Sequence, residues 1–184
     1  MTLRSGWRVS QLLVLTLAAA ATASDSAQRK LDAIEAEQLQ PGSRVTFSYA
    51  ELSAWAEQQL PEGVRSPNLK SAAPQVVTGT AQVDFGRLWR AEGQPAAFLS
   101  RLLDGERTVS ATVRITSSRG KVQVDVQKAT VAGVELDGKT LDFLIQRVVI
   151  PLYPDAAIGR PFELGHHVDR VAAGPDGVEV VIGR

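Results

Sequence analysis

The alternation of apolar and polar residues between Thr108 and Val131 constrains the fold more than any other feature of the sequence. Apolar residues take every second position over 109–115 and again over 122–126, and the turn-forming segment Ser117-Ser118-Arg119-Gly120 separates the two runs. A period of two is typical of strands with one buried face, so the sequence predicts a long antiparallel hairpin. Each arm has about ten residues, or ~33 Å, which is nearly twice the usual strand length.

The apolar positions change from even to odd numbers after Val126, because Ala129 and Val131 are the next apolar residues in the pattern. One extra residue near Gln127 and Lys128 explains the change, and such a bulge increases the local twist of a sheet. The sequence therefore predicts a curled antiparallel sheet rather than a flat one.

Other helical and strand patterns flank this hairpin. A short strand over Arg44 to Phe47 is followed by Ser48 and Glu51, which match a capping box for a helix whose apolar stripe must face a core. A loop rich in Pro, Ser and Asn then leads to an alternating run over Gln75 to Phe85, which predicts a half-buried strand. The remaining predicted elements are a short helix beginning near Pro95, a helix over Lys139 to Ile150 capped by Asp137 or Thr140, a flap over Pro151 to Leu164, and a terminal hairpin over Val168 to Ile182.

The first 23 residues have the pattern of a secretory signal peptide. Two arginines precede an apolar run from Leu12 to Ala21, and the small residues Ala21-Thr22-Ala23 suit a signal peptidase that cleaves before Ser24. The run is about half of the roughly 20 residues that span a bilayer, so cleavage is favoured over a membrane anchor. The predicted divisions are a signal peptide over 1–23, a tether or short exposed helix over 24–43, and a single α+β domain over 44–184.

Composition argues against several functions. The predicted signal peptide carries two of the 20 basic residues and none of the 20 acidic ones, so the mature chain is slightly acidic and has no electrostatic basis for binding nucleic acid. The sequence has no cysteine, which excludes disulfides, thiol nucleophiles and a cysteine-linked lipid anchor. Export without disulfides is compatible with a bacterial periplasm, and we expect the protein to be secreted there.

The sequence offers little catalytic chemistry. It contains neither a phosphate-binding glycine motif nor a nucleophile elbow. The only histidines, His166 and His167, are adjacent in a segment leading into a strand, where successive side chains point to opposite faces, so they are poorly placed to share a metal. The sequence therefore predicts no catalytic residue, no metal and no cofactor.

The apolar face of the long hairpin and the helix over Lys139 to Ile150 remain as the candidate functional surface. An ordinary packed core is one explanation of these residues. The other is an aliphatic slot between sheet and helix, which has no directional chemistry and so suits an acyl chain better than a polar metabolite. The residues predicted to line this slot are Val109, Val113, Ile115, Val122, Val124 and Val126 from the sheet and Leu141, Leu144, Ile145 and Val148 from the helix.

Several of these features occur together in one known group of proteins. The export signal, the capped helix over 48–55, the strand over 77–85, the long hairpin and the late helix resemble small envelope lipid-binding proteins of the LmeA and YceB kind, which are similar to the tubular lipid-binding (TULIP) superfamily. The resemblance covers Arg44 to Ile182. It implies a strongly curved antiparallel sheet wrapped around a helix as a half-barrel, with additional short helices. The chain departs from the YceB-type lipoproteins in lacking their lipobox cysteine.

The leading hypothesis is an exported, non-enzymatic protein that binds or carries a lipid or another hydrophobic small molecule in the slot. It includes transient contact with a membrane surface or with envelope proteins. Two alternatives stay open at this point. One is a structural or protein-interaction module of the bacterial cell envelope with a fully packed core, and the other is an envelope hydrolase with an unrecognised site.

Overall fold

A computed structural model gives the structure of the chain and describes residues 22–88, 105–136, 138–146 and 158–184. The fold is α+β, with mostly antiparallel strands and a few short helices. Helix α1 covers residues 22–35. The other described elements are β1 (Arg44–Ser48), α2 (Tyr49–Gln59), β2 (Val64–Ala73), β3 (Val76–Asp84), α3 (Phe85–Leu88), β4 (Glu106–Ser118), β5 (Lys121–Val131), β6 (Val134–Glu135), α4 (Gly138–Leu144), β7 (Phe162–Glu163), β8 (Val168–Ala173) and β9 (Gly177–Ile182).

The strands form two sheets. The larger sheet has the order β2-β3-β4-β5-β6, with β7 paired to the other end of β5, and it is not closed into a barrel. The smaller sheet has the order β1-β9-β8 and contains the predicted terminal hairpin, which is confirmed. Backbone hydrogen bonds join the two sheets, including Gln75 N–H to Ala173 O (2.9 Å) and Gly120 N–H to Asp169 O (2.8 Å).

The long hairpin of β4 and β5 confirms the central prediction from the sequence. Arg119 and Gly120 form its turn, and both have positive φ angles (51° and 73°), as a two-residue hairpin turn requires. The predicted bulge is also confirmed, because Thr112 pairs with Lys128 while Val113 pairs with Val126, which leaves Gln127 as the extra residue. The change of parity in the sequence therefore marks a real irregularity of the sheet.

Strand β2 corrects one prediction, because the segment predicted as a Pro-, Ser- and Asn-rich loop is an edge strand paired to β3. Its pairing is irregular between Arg65 and Asn68, where Ser66 has a φ of 54° and Pro67 lies within the shift. Proline has no N–H to donate to a neighbouring strand, so it is tolerated at sheet edges and bulges, where that donor is not needed. The bulge interrupts the alternation of half-buried and exposed residues along β2, so the strand was not predicted from the sequence.

Helix α2 begins with the predicted capping box. The Glu51 N–H donates to Ser48 Oγ (3.1 Å), and the Ser48 N–H donates to the Glu51 carboxylate (2.8 Å). The apolar side of the helix lies against a core, as expected, although no α2 residue is fully buried. Leu52 and Trp55 pack there as half-buried residues.

Helix α1 confirms the short helix predicted within residues 24–43 but corrects its expected exposure. Ala27 has no exposed surface and Ile34 is 7% exposed, because both pack against Phe47, Val168 and Ile182 of the small sheet. The apolar stripe of α1 is short, but it meets residues from both ends of the chain. The helix is therefore part of a core.

The segments near α4 bear on two smaller predictions. Thr140 lies within the helix and does not cap it, while Asp137 lies outside the described residues. Residues 158–164 of the predicted flap are tied to β5, because Gly159 N–H donates to Val124 O (2.8 Å) and β7 pairs with β5. The predicted short helix near Pro95 and the end of the helix predicted over Lys139 to Ile150 lie outside the described residues.

Candidate functional site

The candidate site is a cleft of about 330 Å³ on the apolar face of the larger sheet. Strands β2 to β5 form its floor, and residues of α4 and of the segments beside β3, β5 and β6 form its sides. Every lining residue is aliphatic or aromatic. The lining residues are Val64, Val83, Val109, Ala111, Val113, Val126, Ala129 and Val131 on the strands, with Phe85, Leu136, Leu141, Leu144, Ile145 and Ile158 around them.

The structure brings together most of the residues predicted to line the slot. Six line the cleft: Val109, Val113, Val126, Leu141, Leu144 and Ile145. Three do not, because Ile115 pairs with Val124 and Val122 pairs with Ser117, which places all three nearer the hairpin turn. Val148 lies outside the described residues.

Sequence reasoning missed Val64, Val83 and Phe85 as lining residues for two physical reasons. Val64 belongs to β2, which was expected to be a loop. Val83 and Phe85 were predicted on one face of their strand, but a single sequence does not show that β3 pairs with β4 and so shares that face with the hairpin. The parity of the hairpin already placed Ala111, Ala129 and Val131 on its apolar face.

A row of small residues crosses the floor of the cleft. Gly79 pairs with Ala111, and Ala111 pairs with Ala129, so the three lie side by side on neighbouring strands. Directly opposite residues of antiparallel strands share a face. Larger side chains flank this row, with Val109 and Val131 on one side and Val113 and Val126 on the other. The floor is therefore lowest where the small residues lie.

Close packing against Leu69 also favours glycine at position 79. A Cβ built there would lie 3.1 Å from Leu69 Cδ2, which is a tight contact. Leu69 pairs with Gly79 and reaches across the sheet over it. The row of small residues is thus bounded by Leu69 on the side of β2.

One side of the cleft continues into a buried core. Val83, Phe85, Val131 and Leu144 form a cluster in which Val131 has no exposed surface and Leu144 is 9% exposed. Phe143 and Leu136 pack against the cluster as half-buried residues. Because α4 contacts this core and also lines the cleft, the packing of the core fixes the position of the cleft wall.

The strongest electrostatic perturbation lies away from the cleft, where α1 meets α2. Burial raises the pKa of the Glu51 carboxyl, but hydrogen bonds from Lys30, Ser26 and Ser48 outweigh it and lower the pKa to about 2. Lys30 Nζ lies 2.7 Å from Glu51 Oε1 and also donates to Thr46 O, while Ser26 Oγ donates to Glu51 (2.6 Å). This carboxylate therefore holds α1 against β1 and α2.

The two histidines lie in an exposed turn before β8. Both have positive φ angles (44° and 55°), and His167 Nε2 lies 3.3 Å from Glu37 Oε2. They line a second pocket of about 200 Å³ with Ile34, Leu39 and Arg184. Within the described ranges, no group of three or more histidine or carboxylate side chains could hold a metal ion.

Comparison of the chain with family models, curated proteins and solved structures finds no match. The helices within the described residues are all too short or too polar to cross a membrane.

Proposed function

We propose that the protein is an exported, non-enzymatic protein of the bacterial periplasm that binds or carries a lipid or another hydrophobic ligand in the cleft. The observation that carries the proposal is the cleft of about 330 Å³ with an entirely apolar lining. A pocket without polar groups recognises a ligand by apolar area and length. A saturated hydrocarbon chain offers apolar area and length without polar groups, so it matches such a pocket.

The volume of the cleft sets the scale of the ligand. A water-sized group, about the size of a methylene, occupies about 30 Å³, so the cleft holds roughly 11 methylenes. Burial of a methylene contributes about 0.8 kcal/mol, or on the order of 9 kcal/mol for the whole chain. The cost of ordering two molecules, at least about 4 kcal/mol, leaves about 5 kcal/mol or less, so we expect submillimolar affinity or weaker.

The proposal includes a shape and a setting. The long strands, the bulge at Gln127 and the helix against one face support a curved half-barrel like that of the LmeA, YceB and tubular lipid-binding proteins. Delivery or uptake of an apolar ligand also requires transient contact with a membrane surface or with an envelope protein. The half-barrel, the kinship with those proteins and these contacts are parts of the proposal.

The experiment that tests the proposal uses protein purified from the periplasm of a bacterial host that expresses the full chain. A fluorescent apolar probe should bind with a stoichiometry of one and should be displaced by 1-dodecanol. Ala111→Leu places a larger side chain on the floor of the cleft and should weaken probe binding at least tenfold. Ser110→Leu makes a similar change on the opposite face of β4 and should leave binding within twofold.

Two results would count against the proposal. Failure of the folded protein to bind the probe would favour a structural module with a packed core. Equal effects of Ala111→Leu and Ser110→Leu would mean that the probe binds elsewhere. Organic extraction of the purified protein gives an independent check, since a carrier should release about one equivalent of lipid.

A further inference from the structure

The two ends of the cleft differ in how far their residues are buried. At one end the lining consists of residues that are at most 9% exposed and form one buried cluster: Val83, Phe85, Val131 and Leu144. Val64 lines the same end as a half-buried residue, because it pairs with Val83 and packs against the cluster. Packed side chains therefore close this end.

The other end of the cleft is less buried. Val113 pairs with Val126 there, and it lies four residues along β4 from Val109, which packs against the cluster, or about 13 Å at 3.3 Å per residue. Ile158 lies at the same end, because it pairs with Val124, two residues further from the cluster than Val126. Val113, Val126 and Ile158 are half-buried, and none of them is among the described residues that pack against the cluster. A ligand in the cleft therefore meets solvent at this end.

The lining has no polar partner for a ligand. Every lining residue in the described part of the chain is aliphatic or aromatic. A polar or charged group buried against these residues would lose its hydrogen bonds to water and gain none, which is costly. A ligand with one polar end should therefore lie with its apolar end against the cluster and its polar end in water beside Ile158.

The volume of the cleft suits one hydrocarbon chain. Its 330 Å³ holds roughly 11 methylenes. A lipid with two chains of that length needs about twice the volume, so its second chain would stay outside the cleft and add no affinity. The cleft should therefore prefer a lipid that carries all its methylenes in one chain.

We propose that the ligand is a single-chain amphiphile, bound with its methyl end against Phe85 and Leu144 and its polar head in solvent beside Val113 and Ile158. The protein then selects the length and the number of chains and is indifferent to the charge of the head. This inference rests on the proposed function, since it needs an open cleft. It adds the class of ligand and its orientation.

The first test compares ligands that share one ten-carbon chain and differ in the head: 1-decanol, decanoate, decyltrimethylammonium and decanoyl lysophosphatidylcholine. Calorimetry on the protein purified from the periplasm measures each below its solubility limit and its micellar concentration. The four affinities should agree within about threefold, because each head stays in water. A difference of tenfold or more between a charged ligand and 1-decanol would mean that the head contacts the protein, and it would overturn the inference.

The second test varies the number of chains and keeps the head constant. Dihexanoylphosphatidylcholine has the head of the lysophosphatidylcholine and a similar number of acyl carbons, divided between two short chains. Only one of these chains enters the cleft, with four methylenes fewer at about fourfold in affinity each. The two-chain lipid should therefore bind at least thirtyfold more weakly, and a smaller difference would mean that both chains bind.

The third test uses a matched pair of variants to determine the orientation. Ile158→Lys and Val64→Lys each replace a half-buried lining residue, at opposite ends of the cleft. Ile158→Lys places a cation beside the head, so at low salt it should raise the ratio of decanoate affinity to decyltrimethylammonium affinity at least tenfold. Val64→Lys should leave this ratio within about threefold. A change in the ratio for Val64→Lys at least as large as for Ile158→Lys, or no change in either variant, would overturn the orientation.

The outcomes separate this inference from the proposed function. If none of the single-chain ligands binds the folded protein, the proposed function itself fails. If they bind with affinities that depend on the head, or if the two-chain lipid binds as tightly, the binding function stands and only this inference is wrong. The comparisons of ligands use the wild-type protein, so they decide the inference even if a lysine variant does not fold.

Discussion

Replacement of Glu51 by glutamine should reveal how strongly the half-buried carboxylate holds α1 in place. Glu51 is 15% exposed and accepts hydrogen bonds from Lys30, Ser26 and the Ser48 N–H. Its pKa falls from 4.5 to about 2. At about 1.4 kcal/mol per pKa unit, this carboxylate contributes about 3 kcal/mol to the free energy of unfolding at neutral pH.

The effect of pH has a definite sign. Because the folded pKa lies below the unfolded one, the stabilisation is fully present above about pH 4.5 and is lost as the pH falls toward 2. Glu51→Gln should therefore lower the melting temperature at pH 7 by roughly 6–12 °C. The difference between wild type and variant should shrink steadily below pH 4.5.

Thermal and urea denaturation at pH 7 and at pH 3 measure both effects. The matched control is Glu62→Gln, because Glu62 is 86% exposed and its carboxylate lies 3.4 Å from Arg87 Nη1. We expect this control to change stability by less than about 0.5 kcal/mol. If Glu51→Gln costs no more than the control at pH 7, or if the cost does not depend on pH, the account of the α1 contact is wrong.

Three further changes test the sheets. Gly177→Ala should lower the free energy of unfolding by more than about 3 kcal/mol in urea denaturation, because the new Cβ would overlap the backbone carbonyl of Phe47 across β1 and β9. As a control, Gly133→Ala places its Cβ in open space and should lower it by only about 1–2 kcal/mol, because of the left-handed backbone at that residue. Deletion of Gln127 should give a folded protein that is no more than about 2 kcal/mol less stable, since the bulged residue has no place in the backbone pairing with β4 and only its side chain contacts Arg114 there. Collapse of the near-ultraviolet circular dichroism would show that the bulge is essential. Gly79→Leu should destabilise the protein by about 1–3 kcal/mol, because the new side chain must displace Leu69. An unchanged melting temperature would contradict the packing of Leu69 against Gly79.

The long hairpin could be predicted from the sequence because its information is local. Alternation with a period of two identifies the strands, and a shift of that alternation by one residue locates the bulge at Gln127. The capping box of α2 is equally local, since Ser48 and Glu51 satisfy each other within one turn. These elements need no knowledge of what packs against them.

The missed features depend on partners that are distant in the sequence. Helix α1 is buried because Ala27 contacts Phe47, Val168 and Ile182. The apolar stripe of α1 is too weak to predict that contact from the sequence. Strand β2 pairs through a bulge at Ser66 and Pro67, and those residue types also favour loops. Tertiary contacts decided the structure in both places.

The candidate site was predicted only in part, because its extent also depends on strand pairing between distant parts of the sequence. The apolar face of β4 and β5 was known from parity, but its position in the sheet was not. The pairing of β3 with β4 brings Val83 into the cleft, and the order of the strands places the centre of the cleft away from Ile115, Val122 and Val124. The face was readable from the sequence, while the part of it that lies open was not.

The most direct test of the central claim is the dependence of affinity on chain length, measured by calorimetry with straight-chain alcohols from 1-octanol upward. The account predicts that affinity rises about fourfold per added methylene, because each contributes about 0.8 kcal/mol, and that the rise stops near 11 carbons, where the cleft is full. Equal affinities across the series, or no binding by a folded protein, would contradict a cleft that accepts a single apolar chain.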